Sequence, residues 1–249
     1  MVRHLGQDSP WKPFWQHMSK FSQRSSKSEL LDADDIPFDD IKLNMIELDK
    51  INHLLGGHRI TVKGIIKLIP ENCKKLTVCE IGCGGGDNLK VIHDYCLQNN
   101  IQVTLTGIDI KKSCLEYAAE KNTDMPCNWI CSDYALIDFS DQPPDIIFSS
   151  LFCHHFTNAQ LLKMLAWLQH QSRIGFFIND LHRHPLAYYS IKWLTRFFSK
   201  SDLVKNDAPV SVERGFIKNE WESLCAEAGI KPVFIQWQWA FRHLIVYTK

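Results

Sequence analysis

Apolar residues along this chain fall into two periods that alternate for most of its length. Between Asp39 and Leu55 the residues Leu43, Ile46, Ile51, Leu54 and Leu55 recur at helical spacing, and Gly56-Gly57 supplies a stop signal. The pattern predicts a second helix continuing to about Ile69, ended by Pro70. Short apolar runs then alternate with amphipathic stretches: a strand over 76–81, a helix over 87–97, a strand over 102–108 and a helix over 112–121. Strands over 128–131 and 145–150 follow, then a helix over 159–169 and a strand over 174–178. A helix over 219–228, stopped by Gly229, precedes two closing strands over 232–239 and 241–247 that read as a hairpin.

Strands apolar on both sides and separated by helices argue for a mostly parallel sheet covered on both faces. The expected fold is therefore α/β and doubly wound, with seven strands and an N-terminal helical cap. Residues 1–39 are polar, carry Trp11, Phe14 and Trp15 among Ser, Lys and Asp, and show no sustained period, which predicts an irregular arm packed in part through its aromatics. The expected division is an arm and cap over 1–70 and a main domain over 71–249, with a lid-like insertion near 181–216. Inside that insertion, 185–200 reads as a helix with Tyr188, Ile191, Leu194 and Phe198 on one side and Lys192, Arg196 and Lys200 on another.

Composition narrows the possible partners. Twenty-eight basic residues balance 28 acidic ones among 249, so no net field draws the chain to nucleic acid or to an anionic membrane. No leader-like start and no run of about 18 apolar residues is seen, which predicts a cytoplasmic protein with at most weak membrane contact through the basic helix. Nine cysteines, several inside apolar runs and none spaced Cys-x-x-Cys, read as reduced thiols, and no metal site is expected.

The candidate chemistry begins at Glu80-Ile-Gly-Cys-Gly-Gly-Gly86, directly after the first strand. Glycines here permit positive φ and remove the Cβ that would strike a ligand. A dinucleotide loop starting at Gly82 would need Gly or Ala at position 87, where Asp87 stands, and no Gly-Lys-Ser/Thr follows for a nucleotide triphosphate loop. A carboxylate at Glu80 suits a ligand carrying an ammonium group, such as the amino-acid tail of S-adenosylmethionine.

At this point the chain resembles the class I S-adenosylmethionine-dependent methyltransferases, over roughly residues 76–249. The resemblance implies that Glu80, Gly82, Cys83, Gly84 and Gly86 cradle the cofactor, that Asp109 and Ile110 meet the ribose, and that Asp133 and Tyr134 meet the adenine. It also implies that Ser149 and Ser150 border the methionine end, with S-adenosylhomocysteine as the product. Four stretches resemble more closely a bacterial subgroup related to quinone-biosynthesis methyltransferases and associated with type III polyketide synthases that make phenolic lipids. They are 51–59 (Ile51 to Arg59), 150–155 (Ser150 to His155), 179–188 (Asn179 to Tyr188) and 206–212 (Asn206 to Val212). That implies O-methylation of a phenolic, quinol-like or other lipophilic hydroxylated acceptor in secondary metabolism, with the segment Asn52–Arg59 closing the site and a homodimer as one arrangement. The alternatives are carbon or nitrogen methylation of a small molecule, or a cofactor-binding protein without activity.

If the acceptor must lose a proton, a histidine near neutral pKa at a strand carboxyl end is suited to take it. His154 and His155 follow the fourth strand, and Asp180-Leu-His182-Arg-His184 follows the fifth. Of these, His155 and His182 are the expected bases and Asp180 the orienting carboxylate.

Overall fold

The fold follows from where the strands must hide their apolar faces. A computed structural model describes residues 20–33, 35–231 and 234–249. Trp11, Phe14 and Trp15 lie outside the described residues. Seven strands form one sheet: β1 Lys75–Ile81, β2 Gln102–Asp109, β3 Cys127–Cys131, β4 Ile146–Ser150, β5 Gly175–Leu181, β6 Phe234–Gln238 and β7 Arg242–Thr248. Their order is β3-β2-β1-β4-β5-β7-β6. Pairing is parallel from β3 through β5, while β7 runs antiparallel to both β5 and β6. The chain order reverses between β1 and β4, and a ligand on an open α/β sheet binds beyond the carboxyl ends at such a switch point.

Helices cover both faces. The first two, α1 Phe38–Leu54 and α2 Gly57–Ile66, form the cap, and α3 Asp87–Gln98 and α4 Lys112–Lys121 follow β1 and β2. Helix α5 Asn158–Gln171 links β4 to β5, and α6 Pro185–Phe198, α7 Asp202–Arg214 and α8 Lys218–Glu227 separate β5 from β6. On one face Ile60, Ile65, Leu89 and Ile92 pack with Phe148 and Phe177 of the central strands. On the other, Leu161, Leu165, Trp221 and Leu224 pack with Ile81, Ile147 and Phe176. The Phe148 and Phe177 rings stack with centroids 4.7 Å apart. Helix α2 lies directly on that stack because Gly64 has no side chain: a Cβ there would stand 2.7 Å from one Phe177 ring carbon and closer to another.

The 181–216 segment differs from expectation. It holds two helices: α7 is a packed element with Val204, Asp207, Pro209 and Val212 buried, while α6 is the more exposed of the two. Pro209 sits inside α7, and a sequence with Asn206-Asp-Ala-Pro209 signals a turn. Ser201 starts the helix instead, its hydroxyl accepting from the Val204 amide at 3.3 Å. Helix α6 buries Ala187 and Thr195 but leaves Leu186, Trp193, Phe197 and Phe198 largely exposed. The first closing strand begins at Phe234 among the described residues, since 232–233 lie outside them.

Residues 20–33 run as a strap across the carboxyl ends of the strands. Asp207 on α7 accepts the Leu30 and Leu31 amides at 2.8 and 2.9 Å. The Ser25 amide donates to the Glu213 carbonyl at 3.0 Å, and Lys111 after β2 donates to the Ala33 carbonyl at 2.8 Å. The described part of the arm is thus held mainly by polar contacts, with Phe21 as its buried aromatic.

Candidate active site

The glycine loop leaves β1 at its carboxyl end and turns into α3. Gly82, Gly84 and Gly86 all have positive φ, at 65°, 51° and 74°. A side chain at Gly82 would enter the Phe152 ring, whereas at Gly84 a Cβ would meet nothing within 4 Å. The loop is therefore closed on its inner side and bare on its outer side. It is pinned by the Cys83 amide on the Ile108 carbonyl at 3.0 Å and by the Gly86 amide on the Cys83 carbonyl at 2.9 Å. The Cys83 side chain is buried against Gly107.

Beneath the loop, Glu80 is wholly buried. Asn88 in the first turn of α3 donates to its Oε1 at 3.3 Å, while Oε2 has no partner among the described residues. Burial pushes the Glu80 carboxyl well above the usual range, and nearby Asp87 and Asp109 add to the rise. Asn88 in turn accepts from the Thr61 hydroxyl at 2.8 Å and lies 3.3 Å from His58 Nδ1, whose Nε2 meets Asp49 at 2.9 Å. The His58 contact, aided by Lys121, pulls Asp49 down to about 2. Asn179 on β5 donates to the Gly57 carbonyl and to the Ser150 hydroxyl, each at 3.3 Å. The segment Asn52–Arg59 joins this polar network through Gly57 and His58, and its Asn52 accepts from the buried Arg242 at 2.6 Å.

Asp109 at the end of β2 accepts the Gly84 amide through Oδ2 and the Lys111 amide through Oδ1, both at 2.9 Å. Burial raises its pKa against those two hydrogen bonds. Asp133 is exposed and caps the short turn Tyr134–Leu136, its carboxylate accepting the Ala135 amide at 2.9 Å. Tyr134 is buried edge-on against Phe152, Phe156 and Trp167, so its ring supports the site from within. Ile110 and Leu136, 69% and 81% exposed, leave an uncovered apolar surface beside the two aspartates. Ser149 is wholly buried with its hydroxyl 3.4 Å from Cys153 Sγ. Asp87, in the first turn of α3, is paired with Lys121.

The histidine side is arranged differently from the expected pairing. Asp180 holds His154, not His155 or His182: His154 Nδ1 lies 2.8 Å from Asp180 Oδ1, and its Nε2 lies 3.5 Å from Glu29 of the strap. Burial would lower the His154 pKa, but the charges and hydrogen bonds of Asp180 and Glu29 raise it to about 9. His155 is partly exposed, with Nδ1 3.1 Å from Asp32 and Nε2 3.8 Å from Glu29. Arg214 donates to the His154 and His155 carbonyls at 3.0 and 2.8 Å and to Asp32 at 3.0 Å. A cavity of about 460 Å³ lies here, lined by His154, His155, Arg24, Arg214 and Glu220 among others. His182 stands apart among His184, Phe241 and His243. Burial, helped by His184 and Arg183, lowers its pKa to about 4, and its Nδ1 has no partner among the described residues.

Asn88, Thr61, Glu29, Asp32 and Arg214 were not expected at the site, and His58 only as part of the segment Asn52–Arg59. Asn88 could have been read from its place one residue into the helix that follows the loop. The strap carboxylates carry no local signal, because their partners lie at the far end of the chain.

Residues 78–174 match a family model described as a methyltransferase domain. The chain is 37% identical over 57 residues to a malonyl-[acyl-carrier protein] O-methyltransferase of Anoxybacillus flavithermus, a match covering 23% of this chain. It spans about 20% of the length of that curated relative. Among solved structures, a plantazolicin methyltransferase in complex with SAH superposes with a TM-score of 0.63 at 17% identity, covering 94% of this chain and 93% of that one. A SAM-dependent methyltransferase from Aquifex aeolicus gives 0.57 at 17% identity, covering 86% of this chain and 98% of that one. Magnesium protoporphyrin IX methyltransferase from Synechocystis PCC 6803, with bound SAM, gives 0.53 at 12% identity, covering 81% and 83%. The fold is thus the seven-stranded, mostly parallel Rossmann-like sheet of these solved methyltransferases, and within it residues 78–174 are similar to a methyltransferase domain.

Proposed function

We propose that this chain transfers a methyl group from S-adenosylmethionine to a small acceptor, and that the acceptor is an aromatic or lipophilic hydroxylated molecule methylated on oxygen. The observation that carries the cofactor is the pairing of a bare glycine turn with a buried carboxylate whose Oε2 has no partner among the described residues, at the topological switch of the sheet. The residues fit the group. Glu80 offers an acceptor for an ammonium, Gly82 to Gly86 a surface without side chains, Asp109 oxygens with further lone pairs for ribose hydroxyls, and Asp133 a carboxylate beside the exposed Ile110 and Leu136 for adenine. Bound there, the cofactor supplies a methyl group already activated by its sulfonium.

What the protein adds is alignment, exclusion of water and a place for the acceptor's proton. His182, directly after β5, is our choice for that place, because its Nδ1 has no partner among the described residues and its ring lies among His184, Phe241 and His243, although burial makes it a weaker base than a free imidazole. His155 is held by Asp32 and Asp180 serves His154, so these two stabilise the strap side of the site. The aromatic surroundings of His182 and the exposed face of α6 favour a flat, apolar acceptor.

The test has two parts. Calorimetry should show S-adenosylmethionine binding at one site per chain, and turnover to S-adenosylhomocysteine should appear with phenols or quinols. His182→Ala should cut turnover by about 10²-fold or more at unchanged cofactor affinity. Near-normal turnover in that variant would sink the proton-acceptor role and favour carbon or nitrogen methylation. Cofactor binding with no turnover on phenols, quinols or acids would sink the enzyme reading.

A further inference from the structure

Glu29, His154 and His155 bring three ligand atoms within 4.8 Å of one another, at a place that the methyl-transfer reading does not use. We propose that they bind one divalent transition-metal ion of the zinc type, joining the strap to the end of the sheet. Geometry selects these three. Each imidazole has its Nδ1 on a carboxylate, His154 on Asp180 at 2.8 Å and His155 on Asp32 at 3.1 Å. That arrangement directs both Nε2 atoms the other way, and both face Glu29, at 3.5 Å from Oε1 and 3.8 Å from Oε2.

A carboxylate behind each ligating histidine is the arrangement that fixes ring orientation and strengthens the ligand at metal centres. Zinc with bonds of about 2.0–2.1 Å places neighbouring ligand atoms of a tetrahedron roughly 3.3 Å apart. The two imidazole–carboxylate gaps, 3.5 and 3.8 Å, are close to that spacing, and with all three ligand atoms within 4.8 Å of one another an ion would draw the groups together as it seats. Two imidazoles and one carboxylate suit zinc, cobalt or nickel rather than magnesium or calcium, which take oxygen ligands.

Charge is consistent with a cation. Glu29, Asp32 and Asp180 gather three carboxylates around the two rings. Arg214 pairs with Asp32 at 3.0 Å and stands 3.9 Å from Glu29, while Arg24 donates chiefly to the carbonyls of His154, Phe156 and Arg214. Three protein ligands leave a fourth position, and the 460 Å³ cavity lined by both histidines gives it room for water or another oxygen donor. The rings of His182, His184 and His243 also lie together, but no carboxylate joins them in a ligand cluster among the described residues. The expectation of no metal site came from cysteine and histidine spacing, which cannot register a ligand supplied by a distant strap.

The experiment uses the full chain without an affinity tag, stripped with a chelator and titrated with Zn²⁺ and Co²⁺. The expected result is one ion per chain by calorimetry, and a Co²⁺ visible spectrum of nitrogen and oxygen ligands without thiolate bands in the near ultraviolet. Glu29→Gln and His155→Ala should each weaken binding by roughly tenfold or more, and Asp32→Asn by about 10-fold to 100-fold through the second shell. Limited proteolysis should cleave the strap more slowly in the loaded protein than in the stripped one. Circular dichroism confirms that each variant is folded, and His155, being partly exposed, is the substitution least able to disturb the core. Absence of one-to-one binding, thiolate bands, or unchanged affinity in folded His155→Ala and Glu29→Gln would each overturn the site. Cofactor binding is a separate measurement, so the metal reading can fail without the methyltransferase reading and the reverse.

Discussion

Replacing Glu80 by Gln tests the charge on which the cofactor assignment depends. The swap keeps shape and keeps an oxygen for Asn88, but removes the only ionisable group of a wholly buried side chain. In the free protein the raised pKa means that Glu80 holds a proton at pH values where it would be ionised in the unfolded chain. Its contribution to stability is therefore greatest below the ordinary value of 4.5 and falls as pH rises toward the folded-state pKa. Glu80→Gln resembles the protonated side chain at every pH. Its stability relative to the native protein should be near zero at low pH and rise steadily above pH 4.5.

Binding should move the other way. A charge-assisted hydrogen bond to an ammonium contributes about 1.5–3 kcal/mol, so its loss weakens S-adenosylmethionine roughly 10-fold to 150-fold at 1.4 kcal/mol per decade. Binding to the native protein should also release a proton from Glu80, seen as a dependence of calorimetric heat on buffer ionisation enthalpy that the variant lacks. Methylthioadenosine has no amino-acid tail and should bind both proteins alike. Equal losses for both ligands, or a Kd unchanged within twofold, would refute the reasoning.

Two further outcomes follow from the fold. Gly64→Ala drives a Cβ into the Phe177 ring and should destabilise the protein by about 1–3 kcal/mol in urea unfolding, despite alanine's better helix propensity. Asp49 is pulled down to about 2, so its contribution is present above the ordinary value of 3.8 and lost as pH falls toward about 2. Asp49→Asn should flatten the stability profile across that window by less than about 1 kcal/mol, because the group is partly open to solvent.

Periodicity revealed the sheet well because the central strands are buried on both faces and carry short apolar runs, as Ile146-Ile147-Phe148 and Phe176-Phe177-Ile178 do. The glycine loop was legible for a related reason: a turn that requires three positive φ angles restricts residue type at each. Helix α7 was not legible, since Pro209 is a local signal for a break and only burial against the strap and the sheet end overrides it. The Asp180 partner was misplaced for a geometric reason. Asp180 and His182 are two residues apart near the end of a strand, yet Asp180 turns to His154 while the His182 ring packs among His184, Phe241 and His243. Nothing in the 20–33 segment announces that Glu29 and Asp32 reach histidines after β4.

The strap's partners set the order in which the molecule can be completed. Arg24 bonds the carbonyl of a residue 190 positions away, and the Leu30 amide bonds one 177 positions away. Such contacts are among the longest-range in the described residues, carry a high loop-closure cost and form only after α7 exists. During synthesis these residues emerge early and wait, without a surface to dock on, until most of the chain has followed. The glycine turn and the ends of the parallel strands can therefore form before the strap covers them. A protein that opens by releasing the strap alone would leave the sheet intact, so ligand exchange is open to a local unfolding far less costly than the global one.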